Sequence, residues 1–374
     1  MPRLSPEQRV AWLRLIRSEN VGPRTFRDLV NHFGGAQAAL EAAPDLARRG
    51  GRAIRIASVA EAEDEIAACE RRGARLVALG EPDYPALLAS VEGAPPLLTL
   101  AGNAEALNRP TVGIVGARNA SSSGRTFAAR LAEGLGAAGW VLASGLARGV
   151  DAAAHAASVE TGTVAVFAGG LDRLYPPEHA DLARRICDSG ALVTEMPLGW
   201  QPRGRDFPRR NRIIAGLSLG VVVVEAAMRS GSLITARLAA ELGREVMAAP
   251  GSPLDPRCEG TNALLREGAT LVARVDHVLE ALRPLVARER DIPAPILLGQ
   301  GDAAPFTPAE PGDDDMAVVL GLLGPSPTTI DALVRHAERD ARTVQVALLQ
   351  LELAGRLERL PGGQVTLRVP EAWG

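Results

Sequence analysis

The stretch Thr111 to Gly124, TVGIVGARNASSSG, constrains the chain more than any other, because a β-branched run meets a glycine turn and then a serine-rich helix start. Val112, Ile114 and Val115 read as a covered strand, Gly116 permits a sharp turn, and Ser121, Ser122 and Ser123 are candidate caps for a helix beginning near Gly124. The first-turn amides of such a helix have no internal partners and carry the positive end of its dipole, so the turn suits an anion. Beside it, Arg118 offers a planar fork of donors matched to phosphate oxygens. Gly113 and Gly116 are spaced G-x-x-G, not G-x-G-x-x-G, and the next strand, Trp140 to Ser144, lacks a terminal Asp or Glu for a ribose 2′-hydroxyl. Phosphate is the expected ligand; a nicotinamide dinucleotide is not, and no cofactor is expected.

The same alternation continues downstream. Strands near 111–117, 140–144, 163–168, 191–195, 219–225 and 245–249, each followed by a helical segment, predict an α/β fold with a doubly wound parallel sheet extending to about residue 283. In such sheets ligands sit outside the carboxyl ends of the strands, so the residues after each strand should converge. These are Gly116, Ala117 and Arg118; Ser144, Gly145 and Arg148; Gly169 and Gly170; Glu195; and Ser230, Gly231 and Ser232, a second candidate anion nest opening the helix Leu233–Leu242. Between the fourth and fifth strands, Pro202 to Arg212 packs five arginines into eleven residues with one acid. Topology puts Arg209, Arg210, Asn211 and Arg212 on the same rim, and phosphate contacts are the natural use of so many guanidinium groups.

The flanks read differently. Residues 1–70 are helical in pattern, and Asn20-Val21-Gly22-Pro23-Arg24-Thr25 fits either a helix-hairpin-helix that offers amides to DNA phosphate or a plain helical hairpin. Residues 71–110 hold one or two short strands, so the sheet-bearing domain spans 71–285. The Pro-, Gly- and Asp-rich segment 286–315 reads as a flexible linker. Three helical patterns and a strand pair across Gly362-Gly363 make 316–374 a winged helix, whose third helix is as suited to protein contact as to DNA.

Net charge is −3, and all 41 basic residues are arginine, so any phosphate recognition rests on guanidinium groups, amides and the local field. The three cysteines are scattered without a C-x-x-C pair, which disfavours disulfides and a zinc site. No apolar run reaches the roughly 18 residues of a membrane span and no signal-peptide pattern opens the chain, so a cytoplasmic protein with no membrane role is expected.

The motifs VGIVGAR (112–118), SGLARGVDAAAH (144–155), FPRRNRIIAGLS (207–218), VVVVEAAMRSGSLITARLAAELGREVMAAPGS (221–252) and GTNALLREGA (260–269) together resemble the DNA-processing protein A family, also called DprA or Smf, over nearly the whole chain. The resemblance implies an N-terminal SAM-like helical domain, an extended Rossmann domain and a C-terminal winged helix. It also implies a cytoplasmic homodimer that binds single-stranded DNA during natural transformation, protects it and helps load RecA. The family's Gly-Ser-Arg turn falls on Gly116-Ala117-Arg118, so one hydroxyl is missing here. Its later basic positions fall on Arg148, Arg210 and Arg212, and its helix start on Ser230, Gly231 and Ser232.

The rival is a nucleoside-phosphate hydrolase resembling the lysine-decarboxylase-like phosphoribohydrolases. The comparable site, Ala168-Gly169-Gly170-Leu171-Asp172-Arg173, has neither the Gly-Thr nor the glutamate of their P-G-G-x-G-T-x-x-E motif, and a non-enzymatic role is expected. Asp151 and His155 fall at i, i+4 and imitate an acid–base pair, but they read more simply as a helix N-terminal residue and a helix-surface residue. Glu195 and Glu225 end strands without a nucleophile or metal partner in the sequence, and Glu225 is suited to orienting an arginine of the pocket.

Overall fold

A computed structural model describes residues 3–289, 312–360 and 362–368. In chain order the elements before the central repeat are α1 (Pro6–Arg17), α2 (Pro23–Phe33), α3 (Ala36–Arg49), α4 (Val59–Glu70), β1 (Ala74–Ala78), α5 (Ala86–Ala89) and β2 (Leu97–Gly102). The repeat comprises β3 (Thr111–Val115), α6 (Ser122–Ala137), β4 (Val141–Ser144), α7 (Val150–Ser158), β5 (Thr163–Val166), α8 (Ala180–Ser189) and β6 (Ala191–Thr194). It continues with α9 (Asp206–Leu217), β7 (Gly220–Val223), α10 (Gly231–Glu241), β8 (Glu245–Ala248), α11 (Glu259–Arg266), β9 (Thr270–Leu271) and α12 (Val275–Glu289). Last come α13 (Asp313–Leu322), β10 (Thr328–Thr329), α14 (Ile330–Ala337), α15 (Ala341–Leu353), β11 (Leu357–Leu360) and β12 (Gln364–Leu367).

Among the described residues, 64–289 form one compact unit, built on a nine-stranded sheet in the order β1-β2-β6-β5-β4-β3-β7-β8-β9. From β6 to β9 all neighbours pair in parallel, while β2 is antiparallel to both β1 and β6. Order reverses at β3, which pairs with β4 on one side and β7 on the other. Side-chain alternation along β3 explains the double winding. Val112 and Ile114 pack with Leu131 and Leu135 of α6, while a Cβ on Gly113 would touch Ile214 of α9, so the two helices cover opposite faces. A second apolar cluster joins Phe167, Leu192 and Ile186 of α8.

Among the described residues, 4–63, 312–360 and 362–368 make the other compact unit. Its C-terminal part has a three-stranded sheet, β10-β12-β11, over α13–α15, the winged-helix arrangement expected from the sequence. The expected linker at 286–315 lies mostly outside the described residues. Helix α15 is apolar on two faces. Val344, Ala347, Leu348 and Leu351 enter the winged-helix core, while Val346, Leu349 and Leu353 are also buried and lie outside that cluster. The second face meets α3 and α2. A helix that is hydrophobic all round is one that is buried all round.

Candidate functional site

The strand ends of the parallel sheet gather the nominated residues, but in two tiers. Arg118 follows β3 and is exposed, and its guanidinium lies 5.1 Å above the ring of Phe207 on α9. Tyr175 meets the same ring edge-on at 5.7 Å and is half-exposed, at 50%. Arg148 is exposed after β4 and bonds Glu178 at 2.6 Å, which holds its pKa above the ordinary value. Gly169 belongs, with Arg173, Tyr175, Pro202 and Phe207, to the lining of a small pocket beneath these groups.

The lower tier is a brace. Arg210 starts on α9 but turns inward, 7% exposed, donating to the carbonyls of Gly145 at 2.7 Å and Val166 at 2.5 Å and to Asn211 Oδ1 at 3.1 Å. Burial pushes its pKa down to about 10, and the Asp151 carboxylate opposes the fall, so the guanidinium stays charged at neutral pH. Asp151 accepts from the amides of Gly145 at 3.1 Å and Ala147 at 3.2 Å; burial raises its pKa against the pull of Arg210 and those amides. Ser144 is fully buried and donates to the Ile114 carbonyl at 2.6 Å. Gly149 adopts φ 76°, a left-handed backbone that favours glycine, and a Cβ there would collide with the Ala117 and Arg118 carbonyls.

On the outer side, Glu195 gathers two arginines. Its 6%-exposed carboxylate takes Arg209 Nε at 3.0 Å and Nη2 at 3.3 Å and also pairs with Arg212, which reaches the Gly93 carbonyl as well. Arg209 keeps a 44%-exposed side chain and Arg212 does not, at 18%. Asn211 reaches across to the Gly231 carbonyl at 3.3 Å, tying α9 to the start of α10. There Ser230 caps the helix, its hydroxyl accepting from the Ser232 amide at 3.3 Å, and Gly231 is open to solvent.

Two assignments made from sequence change. Glu195 pairs with two arginines, whereas Glu225 accepts from the amide and hydroxyl of Ser121 at 2.9 and 2.5 Å and acts on an arginine only through its charge, which after Asp255 helps hold the Arg257 pKa up. His155 is not on the helix surface: it is 0% exposed, bonded through Nδ1 to Thr163 Oγ1 at 2.8 Å, because α7 turns that face onto the sheet. The expected cap is present, with Ser121 Oγ accepting from the Gly124 amide at 2.9 Å. Sequence reasoning missed the Tyr175–Phe207 pair; the signal was there, since Tyr175 is one of only two tyrosines and falls just after a strand-end glycine turn.

In the other unit, a cleft of about 320 Å³ is lined by Asp28, Asn31, His32, Arg342, Gln345 and Arg359. Arg359 pairs there with Asp28 at 3.2 Å and Glu352 at 2.9 Å, Thr25 donates to Glu352 at 3.0 Å, and Asn20 donates to the Leu353 carbonyl at 2.8 Å. The hairpin turn and the third helix of the winged helix therefore lie against each other. Among the described residues no helix is long and apolar enough to cross a membrane, and no group of His, Cys, Asp and Glu is placed to hold a metal ion.

Comparisons with known proteins match the chain to one family in three consecutive segments. A family model described as DNA recombination-mediator protein A matches residues 75–283, a DprA-like N-terminal HHH domain matches 6–68, and a DprA winged helix domain matches 303–363. Protein Smf of Escherichia coli (strain K12) is 37% identical over 313 residues, covering 82% of this chain and 81% of that protein. The X-ray structure of DNA processing protein A from Streptococcus pneumoniae aligns with TM-score 0.56 and 39% identity, over 60% of this chain and 78% of that one. A structure of the Helicobacter pylori protein, described for its single-stranded DNA binding mode, aligns with TM-score 0.52 and 26% identity, over 56% of this chain and 96% of that one.

Proposed function

The chain belongs to the DNA recombination-mediator protein A family, and from that premise we propose that it binds single-stranded DNA along the upper tier of the sheet rim. The observation that carries the reading is Arg118 over Phe207 with Tyr175 edge-on beside it, a guanidinium and two rings sharing one partly open surface. Rings stack bases of any sequence, and guanidinium groups hold the phosphates between them. Arg118, Arg148 and Arg209 supply the charge, with the amides at Gly116-Ala117 and Gly231 as further donors, while Ser230 and Ser232 shape the start of α10 through their own hydrogen bonds. Ser144, Gly145, Gly170, Arg210, Asn211 and Arg212 shape the rim from below.

Family membership supports a role in natural transformation in which the bound strand is protected and passed to RecA by a homodimer. Met228 and Ile234, exposed at 57% and 38% around the start of α10, support a second copy or a protein partner there. A hydrolytic role has less support, because Glu195 and Glu225 are engaged by arginines and by a helix cap.

Gel retardation of oligo-dT by the purified chain tests the reading. Binding should be tight at low salt and fall steeply as salt rises, with AMP left intact. Release of adenine from AMP without DNA retention overturns it.

A further inference from the structure

The junction between β3 and β7 is where strand order reverses, and in doubly wound sheets the crevice there takes nucleotide phosphates on the following helix N-terminus. In this chain that helix is α6, and its N-terminus already holds an anion of the protein's own. Glu225 lies two residues beyond β7, is 6% exposed, and accepts both the Ser121 amide at 2.9 Å and the Ser121 hydroxyl at 2.5 Å. Its carboxylate is flush with the first turn: a Cβ placed on Gly124 would come within 2.5 Å of it. Any residue but glycine at 124 would push the carboxylate out.

We propose that Glu225 is a specificity-determining residue that closes the switch-point crevice to free nucleotides by occupying the phosphate position at the start of α6. A phosphoryl group entering there would displace a buried carboxylate from two donors or sit against it at like charge, and both options are costly. The start of α10 has a serine cap too, but a Cβ on Gly231 would meet nothing within 4 Å where one on Gly124 would meet the Glu225 carboxylate, so a polyanion running over the rim has room there. The fold thus keeps a nucleotide-binding topology while admitting phosphates only from above. Exclusion of a free nucleotide from the crevice then follows from one side chain, and this holds whether or not the rim's ligand is DNA.

Inorganic pyrophosphate, which has no base to stack on Tyr175 or Phe207, is the probe. Isothermal titration of the full chain should show only the weak baseline of the exposed rim arginines for the native protein, at least a tenfold gain in affinity over it for Glu225→Ala, and a smaller gain for Glu225→Gln, which keeps the shape and removes the charge. Circular dichroism checks that each variant is folded, and Glu225→Gln carries the test if Glu225→Ala is not. The proposal is overturned if the native chain binds pyrophosphate as well as the variants do, or if folded variants gain nothing. Oligo-dT retention on the same preparations reports the rim separately, so failure of one reading is not mistaken for failure of the other.

Discussion

Arg210 and Gly145 are built around each other: the Arg210 guanidinium donates to the Gly145 carbonyl at 2.7 Å, and it fills the space a Cβ on Gly145 would need. Helix α9 is thereby pinned across the ends of β4 and β5, and the same helix carries Phe207 and Arg209 to the open surface. Replacing Gly145 by Ala should cost about 1–3 kcal/mol through overpacking. Thermal melting should show this loss, and oligo-dT affinity should fall with it because the upper tier shifts.

Arg118→Ala and Arg148→Ala should each weaken single-strand binding by about 1–3 kcal/mol, equally for all sequences, and lower the salt slope. Filter binding with homopolymers at several salt concentrations checks this, and a loss confined to one base composition would contradict it.

Tyr175→Ala should reduce affinity by about 1–3 kcal/mol for one lost base stack while leaving the melting temperature nearly unchanged, since the ring is half-exposed. Tyr175→Phe should restore binding in the same assay.

Glu195→Ala leaves Arg212 partly buried without its carboxylate and should cost about 3 kcal/mol by denaturant unfolding. The exposed Arg209 contributes little to that loss. Arg209 also loses its bidentate anchor, so DNA binding should weaken more than the stability change explains.

Burial holds the His155 pKa at about 3 against an ordinary 6.5, so the folded chain keeps this ring neutral. A depressed native pKa means its contribution to stability is present above pH 6.5 and is lost as pH falls toward 3. Stability should fall steadily as pH drops through that window. Unfolding of His155→Gln between pH 6 and 4 should therefore show a shallower fall than the native chain, and an equal slope would assign the acid sensitivity to other groups.

Strand positions were legible because covered parallel strands are β-branched runs between glycine turns, as at Val221-Val222-Val223-Val224. Topology then placed Arg118, Arg148 and the α9 arginines on one rim. Which of neighbouring arginines faces in was not legible: Arg209 and Arg210 are adjacent, and a helix turn of about 100° sends one outward and the other beneath the strands. Glu195 and Glu225 look alike from sequence, both acids at strand ends, and only the packing of α9 and α6 decides that one gathers guanidinium groups and the other a helix amide. β9 has two residues, too few for a pattern. The double apolar face of α15 was present in TVQVALLQLELAG, but its meaning needed the partner helices.

That partner contact ties the earliest helices of the chain to some of its last residues. While the polypeptide is being made, the faces of α2 and α3 that meet α15 have nothing to close on until the α/β unit between them has been added, and the Asn20–Leu353 bond beside them spans 333 positions. Synthesis therefore leaves an apolar surface waiting at the front of the nascent chain, and the α/β unit between has time to fold before the two ends join.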